Sequence, residues 1–301
     1  MHHRLLVSKY IAIKQLLYSY MLSCISIHTQ QTKIIRIKAT KSPLYKGRDH
    51  SKIIYISGVA LQLSKSQNPE AMDLAQAIAS QLLAVCGDVF HIQIVPPGWI
   101  HLELTHPVLA AWLQNLALGG LGERGNGERS QEIAIQKTKS QIHNSYSLFP
   151  IQYAHARCCS LLRLADREGL IQLRESGQQR PLEGSLIGVR SLISPDPIPW
   201  LNSEEKLRLN DPAEGDLIFS LVQVVDDLEC DSVGDGVKWE KIALDLSQTF
   251  EAFYCKCRIW GEVKITSQEL AQARLGLVMA TQSVFRFLLE EKLGVIAPLE
   301  L

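Results

Sequence analysis

The chain has 301 residues, 46% of them hydrophobic and 21% charged, which excludes fibrous and wholly disordered classes and allows two modest domains. Its 31 basic and 31 acidic residues cancel, which argues against nucleic-acid binding through a uniformly basic surface. The balance is uneven, however: residues 1–52 hold ten Lys or Arg against the single acid Asp49, so the remainder is acidic.

Residues 1–43 read as a basic, weakly patterned N-terminal arm. Within it, the apolar run 16–27 (LLYSYMLSCISI) is too short to span a bilayer and lacks a small-residue cleavage site after it. It reads either as an amphipathic helix or as upstream sequence that does not dock, and no stable membrane insertion is expected.

Residues 44–118 alternate helix and strand signals. Helices are expected over 54–65 (IIYISGVALQLSK without its first residue) and 70–85, where Met72, Ala75, Ala79, Leu82 and Leu83 form one apolar stripe behind Asn68-Pro69. The runs 89–95 (VFHIQIV) and 99–105 (WIHLELT) alternate around Pro96-Pro97-Gly98, which predicts a β-hairpin. A helix over 107–118 completes a small α+β domain.

Residues 119–147 open with five glycines among nine residues and stay polar, the signature of a flexible linker with a span of roughly 30 Å. From 148 onward the pattern is helical. Pro150 is expected in a first helical turn, with Ala154, Cys158, Leu161, Leu162 and Ala165 on one face of 151–168. Prolines 181, 195, 197 and 199 forbid a long helix over 169–200. Helical periodicity returns over 214–228, 241–260 and 267–293, which argues an antiparallel bundle. Asp226, Asp227, Glu229, Asp231 and Asp235 read as a solvated acidic loop, since their spacing fits no calcium loop.

The chemistry-bearing motifs of most enzymes are missing. The seven cysteines include no C-x-x-C pair, so buried thiols in a reducing cytoplasm are expected and no metal site. No phosphate-binding glycine loop and no Ser/His/Asp arrangement occurs, and no cofactor is expected.

Three ordered runs carry a family resemblance. Residues 151–165 (IQYAHARCCSLLRLA), 246–261 (LSQTFEAFYCKCRIWG) and 270–299 (ending LGVIAPL) resemble the DALR anticodon-binding domain of arginyl-tRNA synthetases. Residues 95–104 (VPPGWIHLEL), with 60–65 and 75–82, are similar to the N-terminal additional domain of the same enzymes. The resemblance implies an α+β domain followed by an all-α helical bundle, with tRNA, possibly one that accepts arginine, as the partner. It also implies a class I catalytic domain between the two modules, yet only residues 119–147 stand there. None of the nine histidines opens an H-x-G-H, and there is no K-M-S-K-S-like loop. Aminoacylation by this chain alone is therefore not expected.

Within this resemblance, Arg157 would meet a phosphate and Tyr153 an unstacked base, against the alternative that both pack inside the bundle with His155. Tyr254 and Arg258, four apart, would share a helix face and take a base and a phosphate; Arg274 follows the same reasoning, whereas Phe250 and Phe253 read as core. Trp99 would stack near the D-loop of tRNA or plug its domain. Lys46, Arg48 and Lys52 would contact phosphates from a flexible arm. The expected function is non-catalytic tRNA binding in the cytoplasm. The alternatives are a protein-interaction module docking on a synthetase or other partner, and an arginine–tRNA ligase component completed in trans.

Overall fold

The computed structural model describes residues 12–29, 44–47, 49, 51–65, 70–121, 145–174, 192–229 and 237–301. By its internal contacts the chain divides into two units, Met1–Leu109 with Val225–Asp231 and Ala110–Val224 with Ser232–Leu301. The expected fold class holds: a small antiparallel sheet with helices comes first, and a helical region follows. The expected linker lies mostly outside the described residues.

The first unit begins with α1 (Ile13–Thr29). Part of the stretch expected as an arm thus folds, and Ala12, Ile13, Leu16, Leu17 and Met21 are buried on one side. Their i, i+3, i+4, i+8 spacing forms the apolar stripe that docks the helix, and it packs against α3. The sheet follows, with β1 (Leu44–Lys46), β2 (Ile54–Ser57), β3 (Phe90–Val95) and β4 (Trp99–Leu104) in the antiparallel order β1-β2-β4-β3. Helices α2 (Val59–Ser64) and α3 (Ala71–Cys86) complete it.

The helix expected over 54–65 is corrected here: Ile54–Ser57 is a strand between β1 and β4. Its β-branched and aromatic residues alternate half-buried and buried, and Gly58 separates that period-2 segment from the helical one. Alternation places Tyr55, Ser57, Ile100, Leu102, Leu104 and Phe90 on the buried face, and Tyr45, Ile56, His101 and Gln93 in one rung across the other.

Helix α4 (His106–Ala117) crosses from the first unit into the second. The second unit continues with α5 (Ser145–Arg167), the short ladder β5 (Gln172–Leu173) with β6 (Leu192–Ser194), α6 (Pro212–Glu229, whose end from Val225 belongs to the first unit), α7 (Trp239–Lys256), α8 (Glu262–Thr266) and α9 (Gln268–Phe287). Helix α5 begins before Pro150, so that proline lies inside the helix and withholds one backbone donor there. The core collects Ile151, Cys158 and Leu161 of α5, Leu246, Phe250 and Phe253 of α7, and Leu277, Val278, Val284 and Phe285 of α9.

Helix α9 widens into one π-turn, Leu288–Lys292, and stops at Gly294, whose φ of 67° is left-handed backbone that glycine enters without steric penalty. The chain then returns along α5: Gln152 donates to the carbonyl of Ile296 at 3.2 Å and Arg163 to that of Leu299 at 3.2 Å. The LGVIAPL ending is thus explained by a helix stop and a tail that α5 holds.

Asp226, Asp227 and Glu229 belong to α6 rather than to a loop, and Asp226 is buried; residues 230–236 lie outside the described ones. No helix among the described residues is long and apolar enough to cross a membrane.

Candidate nucleic-acid interface

The two units offer separate aromatic surfaces. In the second, Phe149 and Tyr153 lie four apart on α5, 55% and 51% exposed, with ring centroids 6.1 Å apart and planes 25° from parallel. Tyr153 therefore faces solvent and does not pack within the bundle. Phe149 escaped the sequence reading, although its i−4 position from Tyr153 was the available signal.

The other candidates on this helix make their contacts within the bundle. His155 is buried: its Nδ1–H donates to the carbonyl of Pro298 at 2.8 Å, and its Nε2 accepts from Gln282 at 3.0 Å. Both ring nitrogens are used by the neutral imidazole, and burial lowers its pKa below the ordinary value. Arg157 donates from Nη2 to the Tyr254 hydroxyl, and its guanidinium sits 4.7 Å from the centre of that ring. Phe250 stacks offset against Tyr254 at 6.5 Å, so the ring of Tyr254 is contacted from within the bundle. Burial pushes the thiols of Cys158 and Cys159 above their ordinary pKa, so neither is a thiolate at neutral pH.

Two expectations for arginines are corrected. Arg258 does not share a helix face with Tyr254, because α7 ends at Lys256; Arg258 is exposed in the following segment. Arg274 is spent inside the bundle: its Nε donates to Glu214 at 2.6 Å and its Nη1 to the main-chain carbonyl of Arg258. The pair is 11% and 0% exposed, so this guanidinium is not offered to an RNA phosphate. Glu214 also closes a capping box on α6, its Oε2 accepting from the Asp211 amide at 2.8 Å while Asp211 accepts from Ala213 at 2.9 Å. Arg286 pairs with Glu290 at 3.0 Å.

In the first unit, the rung Tyr45–Ile56–His101–Gln93 crosses the exposed side of the sheet. Tyr45 is 57% exposed and meets the half-buried ring of Trp99 edge to face at 6.3 Å. Trp99 thus stands on a sheet surface beside a second ring, and Tyr45 is the residue that sequence reasoning missed there. The expected basic arm is different. Lys46 is in β1 and half-buried near Asp226 and Asp227, and burial brings its pKa down to about 8. Lys52 pairs with Glu103 at 3.0 Å. Arg48 lies outside the described residues. Among the described residues no cluster of His, Cys, Asp or Glu could hold a metal ion.

Residues 201–301 match the family model for the DALR anticodon binding domain. The chain is also similar to proteins named arginine–tRNA ligase. The relative from Ruminiclostridium cellulolyticum is 29% identical over 156 residues, covering 52% of this chain and 22% of that protein. The one from Moorella thermoacetica is 30% identical over 168 residues, 56% of this chain and 24% of the relative. The one from Synechococcus sp. is 30% identical over 149 residues, 49% and 21%. The chain spans only about a quarter of the length of these curated relatives. No solved structure gives a significant match.

Proposed function

We propose that this chain binds tRNA without aminoacylating it, as an arginyl-tRNA-synthetase-like protein whose two modules are joined directly. Three lines support this reading. Residues 201–301 match an anticodon-binding domain and the similar proteins are named for a tRNA ligase. Residues 119–147 are too few for a catalytic domain, and the two ATP-binding signatures of class I enzymes do not occur. The observation that carries it is the Phe149–Tyr153 pair, two large rings each more than half exposed and held nearly parallel. Unstacked bases of an RNA loop suit such a surface, because every base presents a π-face.

The test is binding of the purified protein to an arginine-accepting tRNA and an unrelated tRNA at low and moderate salt. Selective, salt-sensitive binding is expected. Replacing Phe149 and Tyr153 together by Ala should weaken it about tenfold or more, since one stacked base contributes roughly 1–3 kcal/mol. No binding at low salt, where electrostatics is strongest, overturns the reading.

A second reading, docking on a synthetase or another protein, draws on the ion pairs that engage Lys52, Arg163, Arg208, Lys264, Arg274 and Arg286. Its signature is stoichiometric co-purification of a protein with no bound RNA. Restored arginine charging on adding cell extract marks the variant in which a partner supplies the catalysis.

A further inference from the structure

We propose that Asp226 is a positioning residue for the sheet surface: it holds Lys46, Tyr55 and the first turn of α1 from behind, and so keeps Tyr45 beside Trp99. The inference rests on the tRNA-binding reading for what that surface does, but not for the placement itself.

Asp226 is 5% exposed and lies in the part of α6 that belongs to the first unit. Its Oδ1 accepts from the Lys14 amide at 2.9 Å, and its Oδ2 accepts from the Tyr55 hydroxyl. The ammonium of Lys46 feels both Asp226 and Asp227. One carboxylate therefore gathers groups from α1, β1 and β2. An apolar side chain of the same size would fill the space at less desolvation cost, yet it would fix none of those donors. The amide of Lys14 is among the first of α1, where helix donors have no partner within the helix, so Asp226 caps α1 from a distant part of the chain.

The consequence for the opposite face follows from the ladder. Lys46 and Tyr55 are register partners, and the next rung pairs Tyr45 with Ile56. Alternation turns Tyr45 away from the carboxylate and toward Trp99. Strand β1 has three residues and lies at the sheet edge, so few backbone bonds hold it. Anchoring Lys46 from beneath is what fixes Tyr45 above. The charged groups packed around this point are Lys14 of α1, Lys46 of β1, and Asp226 and Asp227 of α6, with Tyr55 of β2 as the neutral donor.

The test uses the full chain labelled with 5-fluorotryptophan, whose five tryptophans give five fluorine signals, with Trp99 assigned through Trp99→Phe. Tyr45→Ala moves the Trp99 signal by removing its neighbour. Asp226→Leu is expected to move it likewise while the other four signals stay. The double variant Asp226→Asn with Lys46→Met keeps one carbonyl acceptor for the Lys14 amide and an NH2 donor to the Tyr55 hydroxyl oxygen, buries no unpaired charge and removes the hold on Lys46, so it should move the Trp99 signal alone. If Asp226→Leu leaves Trp99 unmoved, the proposal is overturned. Should Asp226→Leu disturb all five signals, the double variant decides: a displaced Trp99 signal with the other four at their wild-type positions supports the proposal, and a wild-type spectrum overturns it.

Binding of unfractionated tRNA separates this from the functional reading. Asp226→Leu should weaken binding as much as Tyr45→Ala does, about tenfold for the loss of one base stack. Wild type that binds no tRNA, with the fluorine shifts as expected, defeats the functional reading and leaves the positioning intact. Wild type that binds, with Asp226→Leu indistinguishable from it in both measurements, defeats the positioning.

Discussion

Arg274 shows how one side chain can look like a ligand contact in sequence and serve as structure. A lone arginine between alanine and leucine gives no hint of Glu214, sixty positions earlier and fully buried. Removing Arg274 leaves that carboxylate charged, buried and unpaired, and also frees the carbonyl of Arg258. Arg274→Ala should therefore destabilise the protein by about 3–5 kcal/mol, measured by denaturant unfolding, while Arg258→Ala, exposed and off the helix, stays within about 0.5 kcal/mol of wild type. Equal stability of the two variants counts against a structural Arg274.

His155 carries the opposite lesson, since packing inside the bundle was one of the readings the sequence allowed. Its neutral form uses both nitrogens, and its folded pKa lies below the ordinary 6.5 because burial disfavours the cation, with Arg286 adding to the effect and the Pro298 bond opposing it. The unfolded chain then binds more protons than the folded one below pH 6.5. Stability contributed by this group is complete above that pH and is lost as acid approaches the folded pKa. Acidification from pH 7 to 5 should lower the unfolding midpoint of wild type more than that of His155→Gln. Parallel pH profiles for the two proteins would remove His155 as the cause.

At the level of elements, what was legible had a long period and what was missed was short or depended on distant partners. Helices α3, α4, α6 and α9 and the β3–β4 hairpin stand close to their expected places, because their apolar stripes and turn residues are local signals. Ile54–Ser57 was absorbed into the following helix, since four residues give too little alternation and the strand exists only through pairing with β1 and β4. The first turn of α1 is capped by Asp226, which no local pattern announces. Arg258 was placed on a helix that ends two residues earlier.

Gly276 is an element-scale constraint of the same hidden kind. It sits inside α9, where glycine costs roughly 1 kcal/mol relative to alanine, and helix propensity alone recommends replacing it. The segment after β6 explains its presence: a Cβ at 276 would lie 2.6 Å from the ring of Trp200 and 2.9 Å from Ile198. The indole cannot retreat freely, because its Nε1 donates to Gln114 at 2.8 Å and Gln114 also accepts from the Ile198 amide at 3.1 Å. Gly276→Ala should thus destabilise by about 1–3 kcal/mol despite the better helix former. Combining it with Trp200→Phe should cost less than the sum of the two single changes, a double-mutant cycle that tests whether the clash is with this ring.

For the whole molecule, charge decides how tRNA could be held. The formal charge is zero, and several of the described cations are engaged in ion pairs: Lys52 with Glu103, Arg163 with Glu300, Arg208 with Glu269, Lys264 with Glu168, Arg286 with Glu290. Each phosphate contact releases counterions and adds roughly 0.7–0.9 to the slope of log affinity against log salt. A protein gripping RNA through a broad basic face would show a slope beyond about −6. Here the exposed rings of Tyr153, Phe149 and Tyr45, with the half-buried Trp99, should carry more of the affinity, with phosphates met mainly by the basic residues 1–52. A slope of about −2 to −4 between 50 and 200 mM salt is expected, together with a loss of affinity in the ring-to-alanine variants that persists at the higher salt. A steep slope with ring variants indistinguishable from wild type would transfer the binding to an electrostatic surface. The aromatic faces would then have to be explained as docking sites for protein.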